Sequence, residues 1–182
     1  SFLTTCDRLY LDRMVVNAFV HNSQENQAAC YYTDNRTCLI RLSSSLVNLL
    51  DPDELEFVIG HELGHFLLQH APNQTSKKTV EFFVFQRAKE ISADRIGLIG
   101  CGSLDVAMRT MLKIASGLRS NFLQMDKEQF IQQINQIKKP SLGENPFNTH
   151  PSILMRALAL EEFAPCLDGI TYQNLNIEQV YN

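Results

Sequence analysis

The feature that most constrains this chain is an apolar helix with charge set into its middle. Asp51-Pro52-Asp53-Glu54 is a helix start. Asp51 suits the cap, Pro52 fits the first helical position, and Glu54 at the third position closes a capping box while complementing the positive end of the helix dipole. The residues that follow are apolar at Leu55, Val58, Ile59, Leu63, Phe66 and Leu67, so the helix is expected to be buried around much of its circumference. His61, Glu62 and His65 lie inside this run. Burying two imidazoles and a carboxylate without a partner is costly, and the fold must supply one. The spacing predicts a helix over residues 52–70, ended by Ala71-Pro72-Asn73.

His61-Glu62-Leu63-Gly64-His65 matches the HExxH pattern. At about 100° per residue, positions four apart differ by only about 40° and lie one turn apart, so both imidazoles reach a single ion. Glu62 stands beside them as a carboxylate able to take a proton from water. A tetrahedral catalytic zinc needs a third protein ligand and keeps one open position. A second helix, expected over residues 78–98 and stopping near Gly97, Gly100 and Gly102, offers Glu90 and Asp94. An antiparallel pair of helices joined by residues 71–77 brings Glu90 back alongside the motif as that ligand. Asp94, one turn on, is placed to accept a hydrogen bond from a ligand histidine and fix its tautomer. Further along, Thr149-His150-Pro151 and Arg156 form a polar cluster at a helix start. His150 is a candidate donor to an oxyanion, and Arg156 a candidate partner of Asp94 or of that oxyanion. His21 and His70, lone histidines near element ends, read as solvent-facing or capping residues. Phe82, Phe83 and Phe85 read as core packing, or as a surface covered by a segment upstream, rather than as a specificity pocket.

Strand signals are confined to residues 14–20, 28–32 and 37–42, with turn chemistry at Thr33-Asp34-Asn35-Arg36, and predict a three-stranded antiparallel meander. Further helices are predicted over residues 103–114, 127–137 and 151–163, with a loop over 139–148. The fold class is α+β, mostly helical, with one small antiparallel sheet near the N-terminus. At 182 residues and 45% hydrophobic content the chain suffices for one core, and residues 1–182 read as a single domain. A net charge of -4 without any block of like charge gives no basic field for a phosphate backbone, so no nucleic-acid partner is expected. None of the five cysteines forms a CxxC pair, so they read as packed thiols. Cys30 and Cys38 flank the turn and would be bridged only in an oxidising compartment. Apolar runs fall well short of the roughly 20 residues of a membrane span. The first residues lack the charged and apolar regions of a signal peptide. Membrane association is expected only through segments outside this sequence, and nothing in these residues assigns a compartment.

With these motifs in order, the chain resembles the gluzincin metallopeptidases of the HtpX and CAAX prenyl protease type. The resemblance rests on His61-Glu62-Leu63-Gly64-His65, on Glu90 and Asp94 in an ExxxD arrangement, and on Thr149-His150-Pro151 with Arg156, with Leu49-Leu50 to Glu54 leading in. It runs over roughly residues 26–160. It implies a zincin-like domain that binds one Zn2+ per chain through His61, His65 and Glu90, with Glu62, His150 and Arg156 as catalytic residues. It also implies a substrate edge strand just before the motif helix, carrying an Asn-Ala pattern. Asn17-Ala18-Phe19 is the better literal match, whereas Asn26-Gln27-Ala28-Ala29 has the better spacing to His61. The favoured edge is Ala28, Ala29, Cys30 and Tyr31. Gln27 is an insertion in that pattern, the glycines usual after the strand are missing, and so are the membrane helices of many relatives.

The activity implied is zinc endopeptidase action on peptide or unfolded protein substrates, in protein quality control. A rival from another class is a latent or inactive zinc-site domain serving as a chaperone-like or scaffold binding module. The intact Glu62 argues against it, because a purely structural site needs no general base.

Overall fold

In chain order the elements are α1 (Phe2–Arg8), β1 (Val16–His21), β2 (Ala28–Thr33), β3 (Thr37–Ser43), α2 (Ser44–Leu49), α3 (Pro52–Leu67), α4 (Val80–Cys101) and α5 (Leu104–Ser116). They end with α6 (Ile153–Phe163) and a 3-10 turn, Ala164–Gly169. The computed structural model describes residues 2–12, 15–33, 37–70, 79–123, 132 and 147–169. The fold is α+β and mostly helical, with its sheet near the N-terminus. All but residue 132 of the helix expected over residues 127–137, and nearly all of the loop over 139–148, lie outside the described residues. Among the described residues no helix is long and apolar enough to cross a membrane.

The sheet corrects the expected antiparallel meander. Its order is β1-β3-β2, with β1 parallel to β3 and β2 antiparallel to it. The physical reason is the apolar alternation of β3: Cys38, Ile40 and Leu42 are buried, whereas β1 buries Val16 and exposes its next four residues. Burying β3 in the middle outweighs pairing strands in chain order. The connection between β1 and β2 passes around the end of β3 and is tied there by serines. Ser23 N–H donates to Ser44 Oγ at 3.2 Å, Gln27 N–H to Ser43 Oγ at 3.0 Å, and Ser45 Oγ–H to the Glu25 carbonyl at 2.7 Å.

Helix α3 begins where the sequence places it, with Pro52 in its first turn and the Asp51 N–H donating to Glu54 Oε2 at 2.7 Å. Glu54 has no solvent exposure. Its carboxylate accepts from Lys113 Nζ at 2.6 Å and from Arg109 Nε at 2.8 Å, both on α5. Lys113, itself only 1% exposed, also donates to Asp51 Oδ2 at 2.8 Å. A buried carboxylate paired this way is stable only while its cations remain.

Helix α4 packs against α3 through small residues. An added Cβ on Gly60 would lie 2.9 Å from Gly97 Cα, and one on Gly97 would lie 2.9 Å from the Phe57 carbonyl oxygen. Gly64 meets Ala93 in the same way, at 3.0 Å from its Cα. Of the three glycines expected near the end of the second helix, Gly97 and Gly100 lie inside α4 as packing positions, three residues of helix continue past the expected 98, and the third, Gly102, marks the stop. The helix ends at Cys101, with Gly102 at φ 71° as its left-handed cap. Arg8 of α1 closes that end, donating to the Gly100 and Cys101 carbonyls at 2.9 Å each and to Glu56 Oε2 at 2.8 Å.

Two outcomes follow from this packing. Gly60→Ala gains about 1 kcal/mol of helix propensity but meets backbone that cannot give way, at a cost of about 1–3 kcal/mol. A lowered urea midpoint is expected, and a raised one would show that α3 and α4 are not in backbone contact. Lys113→Met leaves the buried Glu54 to Arg109 alone and is expected to cost about 3 kcal/mol, with part of it recovered when Glu54→Gln is added, as a double-mutant cycle on urea unfolding would show.

Candidate metal centre and cleft

The α3–α4 contact decides what faces His61 and His65. One turn before Ala93, α4 presents Glu90, and beside Ala93 it presents Asp94. His61 Nε2 and His65 Nε2 stand 3.1 Å apart, and Glu90 reaches toward both: Oε2 is 3.7 Å from His61 Nε2 and Oε1 is 3.6 Å from His65 Nε2. Among the described residues these three side chains form the cluster able to hold a metal ion, with one ligand atom of each within 4.8 Å of the others. Two imidazoles and one carboxylate, with space left on the cleft side, fit a catalytic divalent metal.

The nitrogens that do not converge are already engaged. His61 Nδ1 is 2.8 Å from Asp94 Oδ1, and His65 Nδ1 is 3.0 Å from His70 Nδ1. Asp94 is 1% exposed and accepts from Arg156 Nε at 2.7 Å and Nη2 at 2.5 Å. Of the two partners expected for Arg156, the structure gives Asp94. Arg156 lies in the first turn of α6, behind the Ser152 cap, so this ion pair also docks α6 onto α4. His150 stands just before α6, its side chain 67% exposed, with Nε2 3.7 Å from Glu90 Oε2 and Nδ1 3.0 Å from Thr149 Oγ1. It lies at the rim of the cleft.

Charge at the site follows from burial and these contacts. Burial opposes ionising Asp94, yet the Arg156 and His61 hydrogen bonds outweigh it and hold its pKa below the usual carboxylate range. Burial likewise opposes a charged His61, but the Asp94 contact lifts its pKa above the ordinary imidazole value. His65 goes the other way: burial, then the neighbouring His61 and His70, push it down to about 3. Glu62 is raised, chiefly by burial.

Glu62 is reached from the sheet. The hydrogen bond from the Ser43 N–H to the Gln27 carbonyl at 2.9 Å fixes the antiparallel phase. Ala29 and Tyr31 therefore spend their backbone groups on Arg41 and Leu39, while Ala28, Cys30 and Tyr32 turn theirs to the free edge. The Cys30 N–H faces the Glu62 carboxylate closely enough to oppose, weakly, the rise in its pKa that burial causes. A cleft of about 260 Å³ runs between this edge and the metal cluster, lined by Asn26, Ala28, His61, Glu62, Glu90 and His150 among others. Of the two strands that compete for the edge role, β2 borders the cleft. Asn17 of β1 lies across the sheet, beyond β3.

One contact escaped the sequence reading: His70 is no isolated capping residue but the partner of His65. Cys30 and Cys38, expected to stand close across the turn, do so as free thiols on one face of the sheet, with their Sγ atoms 3.0 Å apart. The aromatic run on α4 divides as well: Phe83 is buried, whereas Phe85 is exposed and lies under Lys89 Nζ at 5.0 Å.

Comparisons with known proteins give the chain a family. The profile of peptidase family M48 matches residues 9–86 and 79–164, and the chain belongs to that family, whose members are metal-dependent peptidases. It is similar to a plastoglobule-localized metallopeptidase 48 of the chloroplast of Arabidopsis thaliana, at 25% identity over 179 residues, which cover 82% of this chain and 52% of that protein. The chain thus spans about half the length of the curated relative it matches. No solved structure matches it significantly.

Removing Arg156 tests the second layer of the site. Arg156→Leu leaves Asp94 buried against His61 alone and is expected to lower the stability of the metal-free protein by about 3 kcal/mol. Arg156→Lys is expected to restore only part of this, because an ammonium cannot make the two-pronged contact. Equal midpoints for all three proteins would mean that the ion pair contributes nothing.

Proposed function

We propose that this chain is the catalytic part of a zinc-dependent endopeptidase of the gluzincin type, holding one Zn2+ through His61, His65 and Glu90. The observation that carries this reading is the convergence of the two Nε2 atoms and the Glu90 carboxylate beside Glu62, at the floor of a cleft bordered by an unpaired strand edge. When bound, zinc would supply a Lewis acid that lowers the pKa of water to around 7.

The remaining work falls to the protein. Glu62 takes the proton of the attacking water and passes it to the leaving amine. Its burial supports this role, since a carboxylate raised above its usual range is a better match for proton transfer near neutral pH. His150, at the rim of the cleft, donates to the oxyanion of the tetrahedral intermediate. Arg156 and Asp94 hold His61 in place. The edge of β2 binds the substrate as an added strand, through the outward backbone groups of Ala28 and Cys30. Strand addition in a cleft this narrow requires extended chain. The substrates are therefore locally unfolded polypeptides, which fits a role in protein quality control.

The test pairs metal content with hydrolysis of an unfolded protein such as casein, for the unchanged chain and for Glu62→Gln. One zinc per chain is expected in both, with cleavage reduced by at least about 100-fold in the variant. Zinc in both with cleavage in neither would favour the binding-module reading. No zinc in either would overturn the site assignment.

A further inference from the structure

An imidazole that gives one nitrogen to a metal leaves a second that needs a partner, and the partner fixes the ring. The two histidines of α3 meet this need differently. His61 turns Nδ1 to Asp94, on the neighbouring helix. His65 turns Nδ1 to His70, five residues on, with the rings in an edge-to-face contact at 5.1 Å between centroids.

The end of α3 is built to make this second contact. Gln69 N–H donates to the Phe66 carbonyl at 3.1 Å, and His70 N–H to the His65 carbonyl at 2.9 Å. With Leu68 as the cap, these are the paired bonds of a Schellman turn. That turn brings the third residue from the helix end against the second residue beyond the cap, usually as an apolar pair. Here those positions are His65 and His70. The left-handed position between them, which favours glycine, is filled by Gln69 at φ 51°. The backbone thus adopts a glycine-type turn without glycine, and the side chain it delivers to His65 is a hydrogen-bonding ring.

We propose that His70 is a positioning residue for the metal site. Its Nδ1 accepts the Nδ1–H of His65, which fixes the tautomer and ring orientation that aim His65 Nε2 at the point shared with His61 and Glu90. The inference rests on the metal-site reading above and assigns to His65 the service that Asp94 performs for His61. Sequence spacing alone leaves His70 out of the ligand set, as the last residue of the helix expected over residues 52–70; the helix instead ends at Leu67, and the turn beyond it brings His70 to His65.

The experiment measures the zinc dissociation constant, by competition with a chromophoric chelator, for the unchanged chain and for His70→Ala, His70→Phe and His70→Asn. The urea midpoint of each metal-free protein is measured alongside. Asn keeps an acceptor near the place of Nδ1, whereas Ala and Phe do not. Zinc affinity is expected to fall about 10–100-fold in His70→Ala and His70→Phe and to stay close to that of the unchanged chain in His70→Asn, with metal-free midpoints little changed. A purely structural role would lower the metal-free midpoints and leave the affinities alike. The inference is overturned if His70→Ala binds zinc as tightly as the unchanged chain, or if His70→Asn loses as much affinity as His70→Ala. Absence of zinc binding by the unchanged chain is a different failure: it overturns the metal site itself and, with it, any positioning role for His70.

Discussion

The rest of the structure depends on how closely α3 and α4 approach. Gly60, Gly64, Ala93 and Gly97 let the two backbones meet without side chains between them. Ordinary residues at these positions would hold helices about 8–10 Å apart, and the short Glu90 and Asp94 side chains would then lose their reach to the histidines. The metal cluster is thus a consequence of missing Cβ atoms as much as of its own ligands. Glycine inside a helix costs about 1 kcal/mol against alanine, so three glycines on this contact represent stability given up for geometry.

What fixes α3 along its length is polar at two points. At its start, Glu54 is held in the core by Lys113 and Arg109 of α5. Past its middle, His61 is tied through Asp94 to Arg156 of α6. Each network puts an acid of one helix against bases of another, and each is buried enough that losing one member leaves an uncompensated charge. A helix held at two points by directional contacts cannot slide along its neighbours as one held by apolar packing can. The positions of His61, Glu62 and His65 relative to β2 are set by these anchors.

Much of this was legible in the sequence, for local reasons. The start of α3 needs only Asp51, Pro52 and Glu54, and the pairing of His61 with His65 needs only helical spacing. The approach of Glu90 and Asp94 could be anticipated because two helices joined by a short connection run antiparallel. The failures share a different cause, in that tertiary contact decides them. Gly97 reads as a helix stop because the sequence does not show that Phe57 lies against it. The strand order does not follow from strand signals alone, since all three segments carry them and only burial selects β3 for the middle. His70 sits past the last helical residue, and its role depends on a left-handed turn at Gln69, which residue preference argues against.

The least protected feature is the outer edge of β2, and the way it is left open bears on how the site works. An unpaired strand edge invites association with other chains, and proteins usually blunt it with charge, proline or a bulge. The outward positions of β2 are Ala28, Cys30 and Tyr32, none of them charged. Protection comes instead from the cleft wall. Helix α3 stands across from the edge, with the Glu62 carboxylate facing the Cys30 N–H. An incoming strand that pairs with Cys30 must displace that contact or share it. Under the proposed mechanism, strand pairing and the freeing of Glu62 are therefore one event. A chain too folded to offer an extended segment would leave Glu62 occupied by Cys30, so selection for unfolded substrates would lie in the hydrogen bonding of the edge as well as in the width of the cleft.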